Sequence, residues 1–231
     1  RKSISGTLRS RQLVRAIFWK ELNDHLGRRR FVLLFAMVLI GVLWGVFITL
    51  REVASSGARS TDDLLFLQMF TSSSGVLPSL LFFVSFFGPI IGIALGFDAI
   101  NSERTQGTLS RILSQPVFRD AVFNGKLLAG LVALTIVFLS MMLAIIGFGM
   151  FFMGFPPTGE EVLRLIGFGF LSVAYLAFWL ALAMTCSVFL RNAVASALVA
   201  IGIWVVTAFV VVLVSSAIAD VIVPEIETTA E

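Results

Sequence analysis

The chain is poor in the residues that build disulfide frameworks and zinc sites, since its 231 residues include one cysteine and one histidine. A lone Cys186 has no partner for an intrachain disulfide, and together with His25 it cannot supply the four ligands of a structural zinc site. The methionines within 141–153 could bind Cu(I), but they are more typical of flexible apolar filling. We therefore expect no metal site and no cofactor on this chain.

Charged residues are also scarce, at 13% of the chain against the about 25% that is usual for soluble domains. Hydrophobic residues make up 58%, and five long runs contain no Asp, Glu, Lys, Arg or His. Each run reaches the about 20 apolar residues that a helix needs to cross a bilayer. The sequence therefore predicts an all-α polytopic membrane protein with five spans. The predicted spans are residues 31–50, 76–97, 127–153, 165–190 and 193–219.

Lysine and arginine are unevenly distributed between the predicted loops, which indicates the orientation of the chain. Residues 1–30, residues 98–126 and Arg191 hold most of these side chains, whereas the other loops hold only Arg51, Arg59 and Arg164. Because basic residues are retained on the cytoplasmic side, we expect residues 1–30 and 98–126 to lie in the cytoplasm of a cell-membrane protein. Five spans then place the acidic tail, residues 220–231, outside the cell.

The amino-terminal segment Ser10–Arg30 has the pattern of an amphipathic helix. Apolar side chains recur at helical spacing on one side, and basic or polar side chains fill the other. Such a helix is able to lie in the membrane interface with its apolar face in the lipid, although simple topology-setting charge is the alternative. The residues assigned to this helix are Val14, Phe18, Trp19, Lys20, Glu21 and Leu22.

Three glycines recur at four-residue intervals in the second predicted span, at Gly88, Gly92 and Gly96. Small residues at this spacing allow the backbone of a neighbouring helix to approach closely. We therefore predict a helix-packing face here, and packing within one subunit is the simplest interpretation of it.

Sequence signals of enzymatic chemistry are missing. The chain has no G-x-x-x-x-G-K-[ST] pattern, since Gly125-Lys126 is followed by Leu127 and Asp120 stands at the position of the first glycine. Ionisable side chains at bilayer depth, which are usually functional, do not occur in the predicted spans. A membrane enzyme and a nucleotide-binding site are therefore both disfavoured.

The polar loop at residues 98–126 contains a short apolar helical face made by Leu109, Ile112 and Leu113. Pro116 prevents the helix from continuing much past Ser114 and can begin the next helix. The predicted product is a short helix with an apolar tip on the cytoplasmic side. Such a tip is typical of a surface that inserts into a partner protein.

These residues resemble the signature loop of ABC type-2 transporter permeases, in the branch that includes copper-enzyme-maturation and sodium-export permeases. The resemblance rests on Glu103, Gly107-Thr108-Leu109, Leu113-Ser114, Pro116-Val117, Arg119 and Gly125-Lys126. Trp19-Lys20-Glu21-Leu22, followed by Arg28–Arg30, likewise resembles the elbow helix of that family. The layout matches over the whole chain, whereas the specific motifs cover about a fifth of it.

The resemblance implies a function and a set of partners. It implies six spans, so we expect a sixth span that this sequence does not include, and it implies a dimer of permease chains. It also implies that ATP and magnesium bind to separate cytoplasmic ATPase subunits, that residues 98–126 form the coupling loop to those subunits, and that export is the favoured direction. The expected coupling residues are Glu103, Arg104, Gly107, Thr108, Leu109, Ile112, Leu113, Pro116 and Arg119.

The leading hypothesis is therefore a permease subunit of an ATP-binding cassette transporter. The alternative is a membrane scaffold or assembly factor that uses the same loop to dock a cytoplasmic partner without moving cargo. No nucleic-acid partner is expected. The uncharged spans suit an apolar or amphipathic cargo, but they suit plain helix packing equally well.

Overall fold

The described part of the chain is built from helices joined by short turns. The computed structural model describes residues 15, 17–24, 27, 36, 39–41, 43–48, 51, 80–105, 107 and 119–222. The helices with defined ends are α1 (Leu80–Gly96), α2 (Asn101–Thr105), α3 (Arg119–Met153), α4 (Gly159–Phe189) and α5 (Ala193–Ile222). Residues 17–24 are also helical and are called the elbow segment below.

Four apolar stretches in the described residues are long enough to cross a membrane. They are Val84–Thr105, Val122–Phe152, Gly159–Phe189 and Ala193–Ile218. The chain is thus an all-α polytopic membrane protein, as its composition predicts. Of the first predicted span, residues 36, 39–41 and 43–48 are described, and they are helical.

Three of the transmembrane helices extend at one end beyond the apolar runs from which they were predicted. α4 begins at Gly159 rather than at residue 165, because Thr158 and Glu161 form a capping box before its first turn. The Glu161 carboxylate accepts from the Thr158 backbone N–H at 2.8 Å, and the Thr158 hydroxyl accepts from the Glu161 N–H at 3.3 Å. This reciprocal pair satisfies amides that would otherwise lack partners, so the helix includes the polar residues before the span.

Two other helix ends also lie beyond the predicted runs. α3 begins at Arg119 rather than at residue 127, and α5 continues to Ile222 rather than to residue 219. Hydropathy marks only the portion of a helix that is apolar, whereas backbone hydrogen bonding continues into the polar flanks.

α4 lies at the centre of the bundle and packs against α1, α3 and α5. Its contact with α1 follows the glycine face, where a Cβ added at Gly92 would lie 3.1 Å from the Leu180 backbone nitrogen. A Cβ added at Gly96 would come within 2.9 Å of the Leu180 carbonyl oxygen. The two backbones are therefore so close that a side chain at Gly96 would force a shift and one at Gly92 would be crowded.

The main apolar core lies between α4, α1 and α3. The buried side chains of this core include Leu134, Phe138, Met142, Ile145, Leu165, Leu176, Leu180 and Met184. α5 packs more lightly on α4 through Ala200 and the half-buried Trp204, and most of its other side chains are exposed. A helix that is apolar on all sides and exposed within the chain is suited to lipid or to another membrane helix.

Candidate functional junction of the coupling loop

α2 continues from the end of α1 and is anchored to the end of α4. Residues 97–100 form a turn between α1 and α2. The Ser187 hydroxyl oxygen accepts from the backbone N–H groups of Ile100 and Asn101 at 3.2 and 3.3 Å. Ser187 and Asn101 are both buried, at 0% and 1% exposure. Two amides at the start of α2 are thus satisfied by a side chain from another helix, which fixes where the coupling loop begins.

A buried ion-pair cluster lies beside this anchor. The Lys126 ammonium group is 2.8 Å from Glu21 Oε1 and 3.0 Å from Glu103 Oε1. The side chains of Lys126, Glu21 and Glu103 are only 7%, 16% and 13% exposed. One lysine therefore pairs with two carboxylates that come from the elbow segment and from α2. These three residues are called the Lys126 cluster below.

The elbow segment also contacts α3 through apolar side chains. Leu22 is buried with Ala129 and Ala133, and Phe18 packs against the same cluster. Trp19 is 54% exposed, and its ring lies edge-to-face with that of Phe18 at 5.6 Å between centroids. Leu22 and Phe18, which belong to the apolar face predicted to lie in the membrane interface, thus pack on α3. The small alanines of α3 leave room for Leu22 to pack closely.

Gly107 ends α2 with a backbone conformation that favours glycine. Its φ is +68°, and its N–H donates to the Arg104 carbonyl oxygen at 3.2 Å. Among the described residues, a Cβ added at Gly107 would meet no heavy atom within 4 Å. The left-handed turn alone makes glycine suited to this position.

The predicted site residues are placed as follows. Glu103 faces Lys126 inside the chain, and the Arg104 guanidinium donates to the Asn101 side-chain oxygen at 3.4 Å. Arg119 is the first residue of α3. The remaining predicted residues, Val14, Thr108, Leu109, Ile112, Leu113 and Pro116, lie outside the described residues, and their proposed contacts stay predictions.

Three residues of this junction were missed as site residues from the sequence. Lys126 was noted only as part of a motif, and Asn101 and Ser187 were not assigned a role. No local pattern pairs Lys126 with Glu21, because their contact depends on how α3 packs on the elbow segment. A signal for Lys126 did exist: it is a lysine at the edge of an apolar run, where a buried charge requires a partner.

Away from the junction, a concave surface lies near the other end of the helices, between α1, α4 and α5. Its volume is about 570 Å³, and its lining is mostly aromatic and aliphatic. Two of the hydroxyl groups at its wall are hydrogen-bonded, since Tyr175 donates to the Ser85 carbonyl at 3.0 Å and Thr207 to the Ile203 carbonyl at 2.8 Å. This groove suits apolar contact and carries no catalytic group.

The described contacts of the junction are ion pairs and hydrogen bonds between helices. Lys126 pairs with two carboxylates, and the backbone amides of Ile100 and Asn101 are hydrogen-bonded, whereas the Asn101 Nδ2 atom is buried without a hydrogen-bond partner among the described residues. Among the residues that the structure describes, no group of three or more His, Cys, Asp and Glu side chains could hold a metal ion. The arrangement brings the elbow segment, α2, α3 and α4 together at one point.

Comparison with known proteins agrees with this architecture. Residues 15–227 match the family described as "ABC-2 family transporter protein". The chain is 29% identical over 194 residues to "Probable ABC transporter permease protein NosY" of Pseudomonas aeruginosa, which covers 80% of this chain and 63% of that relative. It is 33% identical over 110 residues to the protein of the same name from Stutzerimonas stutzeri, covering 46% and 34% respectively. The chain thus spans less than two thirds of the length of either relative.

Proposed function

Because this chain belongs to the ABC-2 transporter family, we propose that it acts as a permease subunit whose coupling loop docks a separate cytoplasmic ATPase. ATP and magnesium would bind to that ATPase, and a second permease chain would complete the membrane pathway. We further propose export as the direction of transport. The curated relatives carry the name of an ABC transporter permease, which supports the subunit type.

The observation that carries the proposal is the anchoring of the coupling loop at both ends. The Glu103–Lys126 ion pair joins the two ends of residues 104–125 at 3.0 Å. The Ser187 hydroxyl oxygen on α4 also holds the start of α2, because it accepts hydrogen bonds from two backbone amides there. A docking element must transmit force to the spans, and a loop closed by an ion pair and bonded to a central helix meets this requirement.

The proposed orientation places this junction in the cytoplasm. Fourteen of the seventeen Lys and Arg residues lie in residues 1–30, in residues 98–126 or at Arg191, and the proposed topology puts these segments on one side of the membrane. Charge bias of this kind in short loops sets topology. An ATPase in the cytoplasm would then face the coupling loop directly.

The experiment is copurification of a Leu109→Asp chain with the ATPase encoded beside it. An aspartate in an apolar socket would bury an unpaired carboxylate, and losing an anchor of this kind costs about 2–4 kcal/mol, or roughly 30-fold to 1,000-fold in affinity. Arg119→Ala is the matched control, since a contact at the rim contributes much less. Both variants must reach the membrane in amounts equal to those of the unaltered chain.

Two outcomes would contradict the proposal. If Leu109→Asp leaves copurification intact and the ATP hydrolysis rate unchanged, the coupling loop is not the docking element. If the unaltered chain binds the ATPase but does not alter its hydrolysis rate in reconstituted membranes, the chain is a scaffold rather than a transporting permease.

A further inference from the structure

We propose that Lys126 is a positioning residue that makes the elbow segment follow the coupling loop when the ATPase moves it. This inference rests on the proposed function and adds to it a route by which movement leaves the coupling loop. The route runs from α2 through Glu103 and Lys126 to Glu21. It assigns a role to a buried lysine that the docking surface does not use.

The geometry of the lysine supports such a link. Its ammonium group is within 3.0 Å of one carboxylate oxygen on α2 and one on the elbow segment. With the lysine side chain 7% exposed, water has little access to replace either partner. Separating one carboxylate would leave buried charge incompletely paired, so both ion pairs are expected to persist while the elements move.

The position of Glu103 connects the cluster to the coupling loop. Glu103 lies inside the short helix α2, two residues before its end at Thr105 and close to the turn at Gly107. A tilt of the coupling loop therefore acts on Glu103 across only a few residues. Lys126 lies at the other end of the same loop and pairs with Glu103. The two ends of the loop are therefore expected to tilt together.

The elbow segment is built to follow Glu21. Leu22, adjacent in sequence, is buried against Ala129 and Ala133, which lie about one and two turns after Lys126 on α3. Small alanines offer a smooth surface along which a helix can shift. The charged contact thus sets the position of the elbow segment on α3, and the apolar contact keeps it attached.

The test measures movement of the elbow segment in the complex of permease and ATPase. Spin labels are placed at Asp24 on the elbow segment, Thr105 on α2 and Gly159 at the far end of α4, all of which are exposed. Label pairs are introduced in a Cys186→Ser background, and labelled chains are diluted with unlabelled chains in lipid nanodiscs. Distances are measured by pulsed electron paramagnetic resonance before and after trapping the ATPase with ATP and vanadate.

In the unaltered cluster we expect both the 105–159 and the 24–159 distances to change on trapping. Glu21→Gln removes the ion pair between Lys126 and the elbow segment but leaves Lys126 paired with Glu103. The 105–159 distance change should therefore persist. The 24–159 change should fall by roughly threefold or more, as expected when a residue that carries coupling is lost. Lys126→Met should also reduce the 24–159 change, and Lys126→Arg should restore most of it, because a guanidinium group can hold two carboxylates.

Glu160→Gln is the matched control, since Glu160 forms an exposed ion pair with Arg164 at the far end of α4. It should leave both distance changes as they are. Two results would overturn the inference without affecting the proposed function. In the first, the 24–159 change stays complete in Glu21→Gln. In the second, the 105–159 distance changes in the unaltered complex but the 24–159 distance does not. Failure of the unaltered chain to bind the ATPase would contradict the proposed function, and the inference with it.

Discussion

The Lys126 cluster shows how a charge is accommodated at the edge of an apolar helix. A lysine that is 7% exposed would be costly without partners, and here two carboxylates lie within 3.0 Å of its ammonium group. Removing one member of a buried ion pair costs about 3–5 kcal/mol, because the remaining charge keeps its desolvation penalty. The cluster therefore restricts the relative positions of the three elements that supply its members.

Gly107 provides a prediction about backbone conformation. Gly107→Ala should destabilise the turn after α2 by about 1 kcal/mol, because a Cβ is disfavoured at a φ of +68°. Gly107→Asn should be milder, since asparagine tolerates the left-handed region better than alanine. Protease sensitivity of the coupling loop in membranes measures the difference, and equal sensitivity of both variants would contradict the conformational explanation.

Ser187 provides a prediction about buried hydrogen bonding. Ser187→Ala leaves the Ile100 and Asn101 amides without their acceptor and should lower stability by about 1–3 kcal/mol. Ser215→Ala is the control, since that exposed hydroxyl bonds only to the Val212 carbonyl of its own helix. Apparent melting temperatures in detergent should separate the two variants, and matching values would show that the Ser187 contact is not needed.

Among the elements, α1 and α4 form the contact that is most sensitive to side-chain size. A Cβ at Gly96 would lie 2.8 Å from the Ala183 Cβ and 3.0 Å from the Met184 backbone nitrogen. At Gly88 the close neighbour, at 2.7 Å, is a Leu176 methyl group, which can rotate away. The cost of adding a methyl group therefore depends on whether backbone or side chain opposes it.

This contrast predicts an order of effects. Gly96→Ala should be the most destabilising change, by about 1–3 kcal/mol from overpacking, Gly92→Ala next and Gly88→Ala the least. Gly147→Ala in α3 is the matched control, because its added Cβ meets nothing within 4 Å and alanine favours a helix by about 0.5–1 kcal/mol. Thermal unfolding of the four variants tests the order, and a Gly96 variant as stable as the Gly147 variant would contradict the close packing.

At the scale of the whole molecule, the basic residues predict which end of the bundle faces the cytoplasm. In a Cys186→Ser background, a cysteine at Gly159 should react with a membrane-impermeant maleimide in intact cells. A cysteine at Thr105 should react only after permeabilisation. Both positions are exposed in the structure, so a difference in labelling reports the side of the membrane. Labelling of the Thr105 variant in intact cells would reverse the orientation.

The all-α membrane class follows from the sequence alone, and four of the five predicted spans overlap membrane-length helices among the described residues. Hydropathy is a sum over about 20 neighbouring residues, so it needs no knowledge of which helices are adjacent. One local signal was not used: Thr158 and Glu161 have the spacing of a capping box, which indicates the early start of α4. The glycine spacing in α1 predicted a packing face, although it did not identify α4 as the neighbour.

Only the tertiary structure decided which charges and hydroxyls meet. Glu21 and Lys126 are far apart in the sequence, and Ser187 is in a helix that carries no local sign of contact with α2. Such contacts depend on the way α3, α4 and the elbow segment pack, which a short sequence window does not contain. The sequence determined what can enter the bilayer, because burial in lipid depends on local apolar area. The fold determined how the coupling loop is held, because an ion pair needs its atoms within a few ångströms of each other.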